Sequence, residues 1–197
     1  MKGEILALGL EIMAVLFGLA YLFFLIQEKR TCWLFGIAAS LLSIVLFYRN
    51  NLYSEAILFV YYVIIGVYGY WLWTTKSAQN TPVEIIKIPK KILLISVVVG
   101  CLGALFLGWF FSNHSDADSP YFDAATTAFS FVASYLEVKK YIAAWLFWIL
   151  INGATIFLYQ SKDLNIYTLL TMVYFAFSFF GFWNWRKKYN NNKMVSA

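Results

Sequence analysis

Asn152 stands in the middle of an apolar run, Trp145-Leu-Phe-Trp148-Ile-Leu-Ile-Asn152. A primary amide in such surroundings is costly unless its donors and its acceptor are matched, and a ligand can match them. Trp148 lies four residues earlier, on the same face of a helix. Together they offer an aromatic plane beside a hydrogen-bonding fork. Thr155 and Tyr159 continue that face. A second polar stripe, Asp123, Thr127, Ser130, Ser134 and Glu137, is spaced four, three, four, three along one helical face. A third run carries Thr171, Tyr174, Ser178, Gly181 and Trp185, with Trp183 and Asn184 beside it. The chemistry these residues suit is recognition of a flat solute with hydrogen-bonding groups. The candidate binding residues are Trp148, Asn152, Thr155, Thr127, Ser130, Tyr174, Ser178, Trp183, Asn184 and Trp185. Several have a plainer reading. Ser130, Ser134, Ser178 and Gly181 also suit helix–helix packing, where small residues are common. Trp71, Trp73, Trp183 and Trp185 lie near helix ends, where aromatic belts are normal; Tyr70, Trp71 and Trp73 are expected there.

The elements that position them belong in a membrane. The chain is 62% hydrophobic and 13% charged, too little charge for water-facing surfaces. Apolar runs fall near 5–26, 33–48, 54–74, 92–112, 121–138, 144–160 and 165–185, and several approach the roughly 20 residues that cross a hydrocarbon layer as a helix. A polar stripe on a membrane helix cannot face lipid cheaply, so it faces the bundle interior. The first run has no small-residue cleavage site and reads as a mature helix.

The chain also repeats itself. Shifted by 112 residues, Glu11–Trp73 lies on Asp123–Trp185 without a gap, matching Trp33 with Trp145, Trp71 with Trp183 and Trp73 with Trp185. The expected fold is an all-α integral membrane protein of seven transmembrane helices, with two parallel three-helix repeats joined by a spacer helix. A duplicated membrane bundle is a common transporter design, with the site at the repeat interface. The boundaries expected are repeat one at 1–74, a linker at 75–91, the spacer and its loop at 92–120, repeat two at 121–188, and a frayed polar tail at 189–197. Position by position, repeat two holds hydrogen-bonding groups where repeat one is small or apolar: Asn152 mirrors Ser40, and Ser178 mirrors Gly66.

Three basic residues fall on the N-terminal side and twelve on the other, which puts the N-terminus outside and the C-terminus in the cytoplasm. The net charge of +5 is a topology signal rather than a nucleic-acid footprint. Seven carboxylates give the outer face −4, which either attracts a cationic solute or merely fills loops where bases are excluded. Cys32 and Cys101 make no disulfide framework. Catalysis finds little support. His114, the only histidine, sits in a loop with Asp116 and Asp118, too few ligands for a metal site and no nucleophile–base pair. No glycine-rich phosphate loop occurs. Neither a metal nor a cofactor is expected, and the protein reads as no enzyme; the remote alternative is a membrane enzyme using the His114 loop.

The assembled passages resemble the PnuC family of bacterial vitamin transporters. The resemblance is carried by Phe122-Asp123-Ala124-Ala125-Thr126-Thr127, by the Trp148-x-x-x-Asn152 pattern, by Tyr174 through Gly181 to Trp185, and by Trp33, Phe35-Gly36, Leu52-Tyr53 and Tyr61-Tyr62 through Gly69 to Trp73. It spans about residues 5–188. It implies a fold similar to full-length SWEET sugar transporters, a homotrimer in the bacterial inner membrane, and uptake of nicotinamide riboside by facilitated diffusion with phosphorylation trapping. Thiamine or another B vitamin is the alternative substrate. The resemblance also implies that Trp148, Asn152, Trp183 and Trp185 face the substrate. Phe59 and Ser134 depart from it, standing where many relatives carry amides. Replacing His114 with alanine is expected to leave uptake unchanged; a loss of uptake would revive the enzyme reading.

Overall fold

The computed structural model describes residues 2–49, 53–114, 119–161 and 165–195. Among them run seven helices: α1 (Lys2–Ile26), α2 (Cys32–Arg49), α3 (Tyr53–Ala78), α4 (Lys90–His114), α5 (Pro120–Val138), α6 (Ala143–Ser161) and α7 (Asn165–Val195). Six follow the apolar runs of the sequence to within a few residues. α1 to α4 each contain a stretch long and apolar enough to span a bilayer, and Ala143–Leu158 of α6 is a shorter apolar one. Asp116 and Asp118 of the His114 loop lie outside the described residues. His114 ends α4, but its side chain is likewise outside them.

α7 departs from expectation. The tail that was to fray after Lys188 continues as helix to Val195. Tyr189-Asn-Asn-Asn-Lys193 contains no glycine or proline to stop a helix. The Lys87 ammonium also lies 5.4 Å from the centre of the Tyr189 ring, a cation–π contact that holds the extension.

The chain forms two compact units, Met1–Val83 and Glu84–Ala197. In the first, α2 packs against both α1 and α3. In the second, α6 packs against both α5 and α7, and α4 packs on α5. The division falls inside the expected linker. α3 ends on Asn80 in the left-handed region (φ 55), where the Asn80 and Thr81 amides donate to the Ser77 and Lys76 carbonyls at 3.1 and 3.0 Å. From Glu84 onward the linker belongs to the second unit. Ile85 is buried. The Ile86 amide donates to the Lys140 carbonyl at 3.2 Å, and the Ile142 amide returns a bond to the Ile86 carbonyl at 3.1 Å. That one-residue parallel bridge straps the linker to the α5–α6 turn.

Local geometry recurs between the units at the sequence offset of 112. α1 closes with Glu28 at φ 62 and α5 with Lys140 at φ 54. Each carries the same pair of bonds, Glu28 to Leu25 and Lys29 to Phe24 in one, Lys140 to Glu137 and Tyr141 to Leu136 in the other. This satisfies the last free carbonyls of each helix. Phe17 meets Phe35 at 6.0 Å between ring centres, and Phe129 meets Phe147 at 6.1 Å. Trp33 meets Trp73 edge to face at 5.3 Å and 85°, and Trp145 meets Trp185 at 5.3 Å and 88°. Gly69 and Gly181 make room for those rings: a Cβ on Gly69 would lie 2.5 Å from Trp33, and one on Gly181 would overlap Trp145.

Two differences cut across this recurrence. Leu25 is fully buried, and its counterpart is the equally buried Glu137. Tyr21 covers Gly36, whose Cβ would lie 2.9 Å from the Tyr21 ring; the counterparts are Ala133 and Trp148, so the bulky residue stands on α1 in one unit and on α6 in the other.

Because both tryptophans have no room to retreat, Gly181→Ala is expected to destabilise the protein by about 1–3 kcal/mol through overpacking, and Gly69→Ala similarly. Thermal unfolding in detergent measures both; an unchanged midpoint for either would show that the rings can yield.

Candidate functional site

Asn152 projects from the middle of α6 and is half-buried. Its amide nitrogen donates to the Ser178 hydroxyl of α7 at 3.1 Å, and Ser178 donates in turn to the Tyr174 carbonyl at 2.8 Å. Three of the candidates are thereby joined in one chain of bonds across the α6–α7 contact. Ser178 is 2% exposed and Tyr174 is half-buried. Trp148, one turn earlier on α6, is half-buried with its indole nitrogen sealed from solvent and no hydrogen-bond partner among the described residues.

The remaining candidates divide by how their polar atoms are spent. Thr155 donates to the Ile151 carbonyl at 2.9 Å and Ser130 to the Thr126 carbonyl at 2.7 Å. Both hydroxyls are turned back onto their own helices, a bond that lets small polar residues sit inside a bundle. Ser134 does the same to Ser130 at 2.8 Å. Thr127 is half-buried. On α7, Asn184 is half-buried, and its side-chain oxygen is sealed without a hydrogen-bond partner among the described residues.

Trp183 and Trp185 part company. Trp185 is fully buried against Trp145, whereas Trp183 is 75% exposed. Two residues along a helix are about 200° apart, so only one ring of the pair can turn into its unit. Trp73, expected in an aromatic belt, is instead buried at 5% exposure against Trp33. Trp71 is 58% exposed, as a belt residue would be. Both partners and the intervening glycine recur together in the sequence as Trp33, Gly69, Trp73 and Trp145, Gly181, Trp185.

A separate apolar hollow of about 440 Å³ lies between α4 and α5, lined by Cys101, Ala104, Leu105, Tyr121, Ala125 and Phe129. None of the candidate residues lines it. Beside it, Gly100 and Gly108 of α4 accommodate the Phe129 and Tyr121 rings. No cluster of metal-ligating side chains occurs among the described residues.

The second unit thus joins an amide, a hydroxyl and a carbonyl in one chain across α6 and α7, with a tryptophan one turn away on α6. Residues 8–187 match the family described as nicotinamide mononucleotide transporter. The chain belongs to that family, the PnuC transporters. Its members named as transporters include the nicotinamide riboside transporter PnuC of Escherichia coli K12, 22% identical over 74% of this chain and 73% of that protein. The PnuC protein of Neisseria mucosa, also named a nicotinamide riboside transporter, is 27% identical over 88% of this chain and 70% of its own length. The crystal structure of the vitamin B3 transporter PnuC shares the fold with a TM-score of 0.73, at 24% identity, over 90% of this chain and 80% of that one. Apolar helices and family together make this PnuC member a multi-pass membrane transporter.

Burial separates the two neighbouring tryptophans in what they contribute to stability. Trp185→Ala is expected to cost about 3–5 kcal/mol, as loss of a buried ring does. Trp183→Ala should leave thermal stability within about 0.5 kcal/mol. Unfolding midpoints of the two purified variants compare them directly; equal losses would contradict the division.

Proposed function

We propose that the protein takes up nicotinamide riboside, with Asn152 and Trp148 as the principal contacts to it. The observation that carries this reading is the half-buried Asn152, whose amide nitrogen is bonded to Ser178 while its carbonyl oxygen has no donor among the described residues. The names of the Escherichia coli and Neisseria mucosa relatives support the substrate. Physically, a cationic pyridinium gains about 2 kcal/mol by stacking on a tryptophan face once desolvated. Ribose hydroxyls can pair with Asn152 and with Thr127 on α5. Thr155, Ser130, Tyr174, Ser178, Asn184, Trp183 and Trp185 complete the proposed surroundings, Ser130 and Trp185 by packing.

Transport is proposed to be facilitated diffusion, with a cytoplasmic kinase trapping the vitamin by phosphorylation. Asp123 and Glu137, the carboxylates of α5, are separated by about 21 Å of helix, too far to hand a proton across directly. The arrangement proposed is two parallel three-helix repeats with α4 as the spacer, assembled as a homotrimer in the bacterial inner membrane. The excess of basic residues at and beyond the C-terminal ends of α1, α3, α5 and α7 supports an external N-terminus and a cytoplasmic C-terminus. Thiamine, the alternative that the family resemblance leaves open, is the second reading, since Phe59 and Ser134 depart from the pattern which that resemblance implies.

Calorimetry on the purified protein with nicotinamide riboside, thiamine, riboflavin and nicotinamide mononucleotide tests the substrate. Binding of the mononucleotide would argue against trapping, because a carrier that accepts the trapped product lets it leak. Asn152→Leu is expected to weaken binding by ten- to a hundredfold, roughly 1–3 kcal/mol for a lost matched amide. Trp148→Ala should lose a similar factor, while Ser40→Leu should mainly perturb packing. Equal losses from the Ser40 and Asn152 variants would mean a symmetric site and defeat the proposal. Accumulation against a gradient in vesicles lacking a kinase would refute simple facilitation.

A further inference from the structure

Ser178 was grouped with the residues around the ligand, but its atoms are already committed. Its hydroxyl hydrogen goes to the Tyr174 carbonyl, so toward Asn152 it can only accept. That one-way bond fixes which end of the Asn152 amide faces α7: the nitrogen end. The carbonyl oxygen is left directed elsewhere. Among the described residues nothing donates to that oxygen, and it is not among the atoms sealed from solvent.

We propose that Ser178 is a positioning residue that clamps the Asn152 amide so that its carbonyl oxygen is presented to the substrate, selecting ligands with a hydroxyl donor at that point. The inference rests on Asn152 contacting substrate, as proposed above, and assigns Ser178 no contact of its own. An unclamped asparagine can rotate its amide and offer either end, so it discriminates poorly between donors and acceptors. Bonds in series also polarise one another, which makes the carbonyl at Tyr174 part of the device. The clamp is peculiar to the second unit. At the mirrored positions stand Ser40 and Gly66. Ser40 turns its hydroxyl to the Gly36 carbonyl at 2.8 Å. A Cβ on Gly66 would lie 2.8 Å from the Ile37 side chain, leaving no room for a serine there unless Ile37 moves.

A double-mutant cycle on the full-length protein tests it, read as affinity for nicotinamide riboside by calorimetry. Ser178→Ala should weaken binding about tenfold, and Ser178→Gly, which adds no bulk, should do the same. Ser178→Thr keeps the hydroxyl and should stay within about threefold if its methyl is tolerated. In an Asn152→Leu background, Ser178→Ala should cost no more than about a further twofold, because a residue acting only through Asn152 has nothing left to position. Among the 2′-, 3′- and 5′-deoxy analogues, one should bind the unaltered protein about tenfold more weakly and lose nothing more on Ser178→Ala. Losses that multiply in the double variant would mean that Ser178 touches the ligand, overturning the clamp while sparing the Asn152 site. Unchanged affinity in both Ser178→Ala and Ser178→Gly would overturn it too. Asn152→Leu without effect on any of the compounds would remove the site and the clamp together.

Discussion

Two tryptophans meeting edge to face across a glycine lock one helix pair in each unit. Helices in a membrane gain nothing from leaving lipid, since the tails are as apolar as their own side chains; association depends on close packing and on hydrogen bonds between helices. Trp145 on α6 occupies the space that Gly181 leaves on α7 and receives Trp185 one turn later. Trp33, Gly69 and Trp73 do the same between α2 and α3. Each arrangement fixes both the separation and the rotation of its helix pair. On the second pair, that rotation brings Ser178 within hydrogen-bonding distance of Asn152. The polar chain therefore depends on an apolar lock that begins within one turn of Ser178, at Gly181, and ends about two turns away, at Trp185.

Much of this could be read from the residues in order. Hydropathy located the helices because a span must be apolar throughout, a requirement that leaves a coarse and robust trace. The end of α7 departs from the reading of the residues because polarity alone does not fray a helix; polar residues without glycine or proline are able to extend one. The pairing of the linker with the α5–α6 turn is hidden from the sequence for a related reason. Ile85 and Ile86 are too few to register as an element, yet one buries and the other pairs. Among the candidate residues, Asn152 stood out because its amide is expensive where it lies. Which hydroxyl it would meet depends on how α6 and α7 cross, and spacing along one helix carries no such information. For Trp183 and Trp185 the sequence is ambiguous, because Trp71 and Trp183 recur at the same offset as Trp73 and Trp185; the packing of α6 on α7 is what turns Trp185 inward.

The two units share a scaffold and differ in what they place on it. Leu25 and Glu137 occupy equivalent buried positions beside helix ends of the same geometry. Glu28 and Lys140 occupy the same left-handed turn with opposite charge. Backbone geometry constrains these sites strongly and side-chain chemistry weakly. One unit thus carries hydrogen-bonding groups that the other lacks, while the same tryptophan–glycine contact recurs in both.

The exchange of bulk between Tyr21 over Gly36 and Ala133 with Trp148 has a historical consequence. If both units descend from one ancestral bundle, neither arrangement converts into the other by a single viable substitution. A large residue gained first at both positions collides, and one lost first leaves a void. The route must pass through an intermediate that is overfilled or hollow, each a costly state in a close-packed interior. Once crossed, that barrier works against reversion, and a copy carrying the tryptophan on its middle helix stays distinct. Drift alone would not readily make the halves alike again, and recombination between them would join mismatched partners.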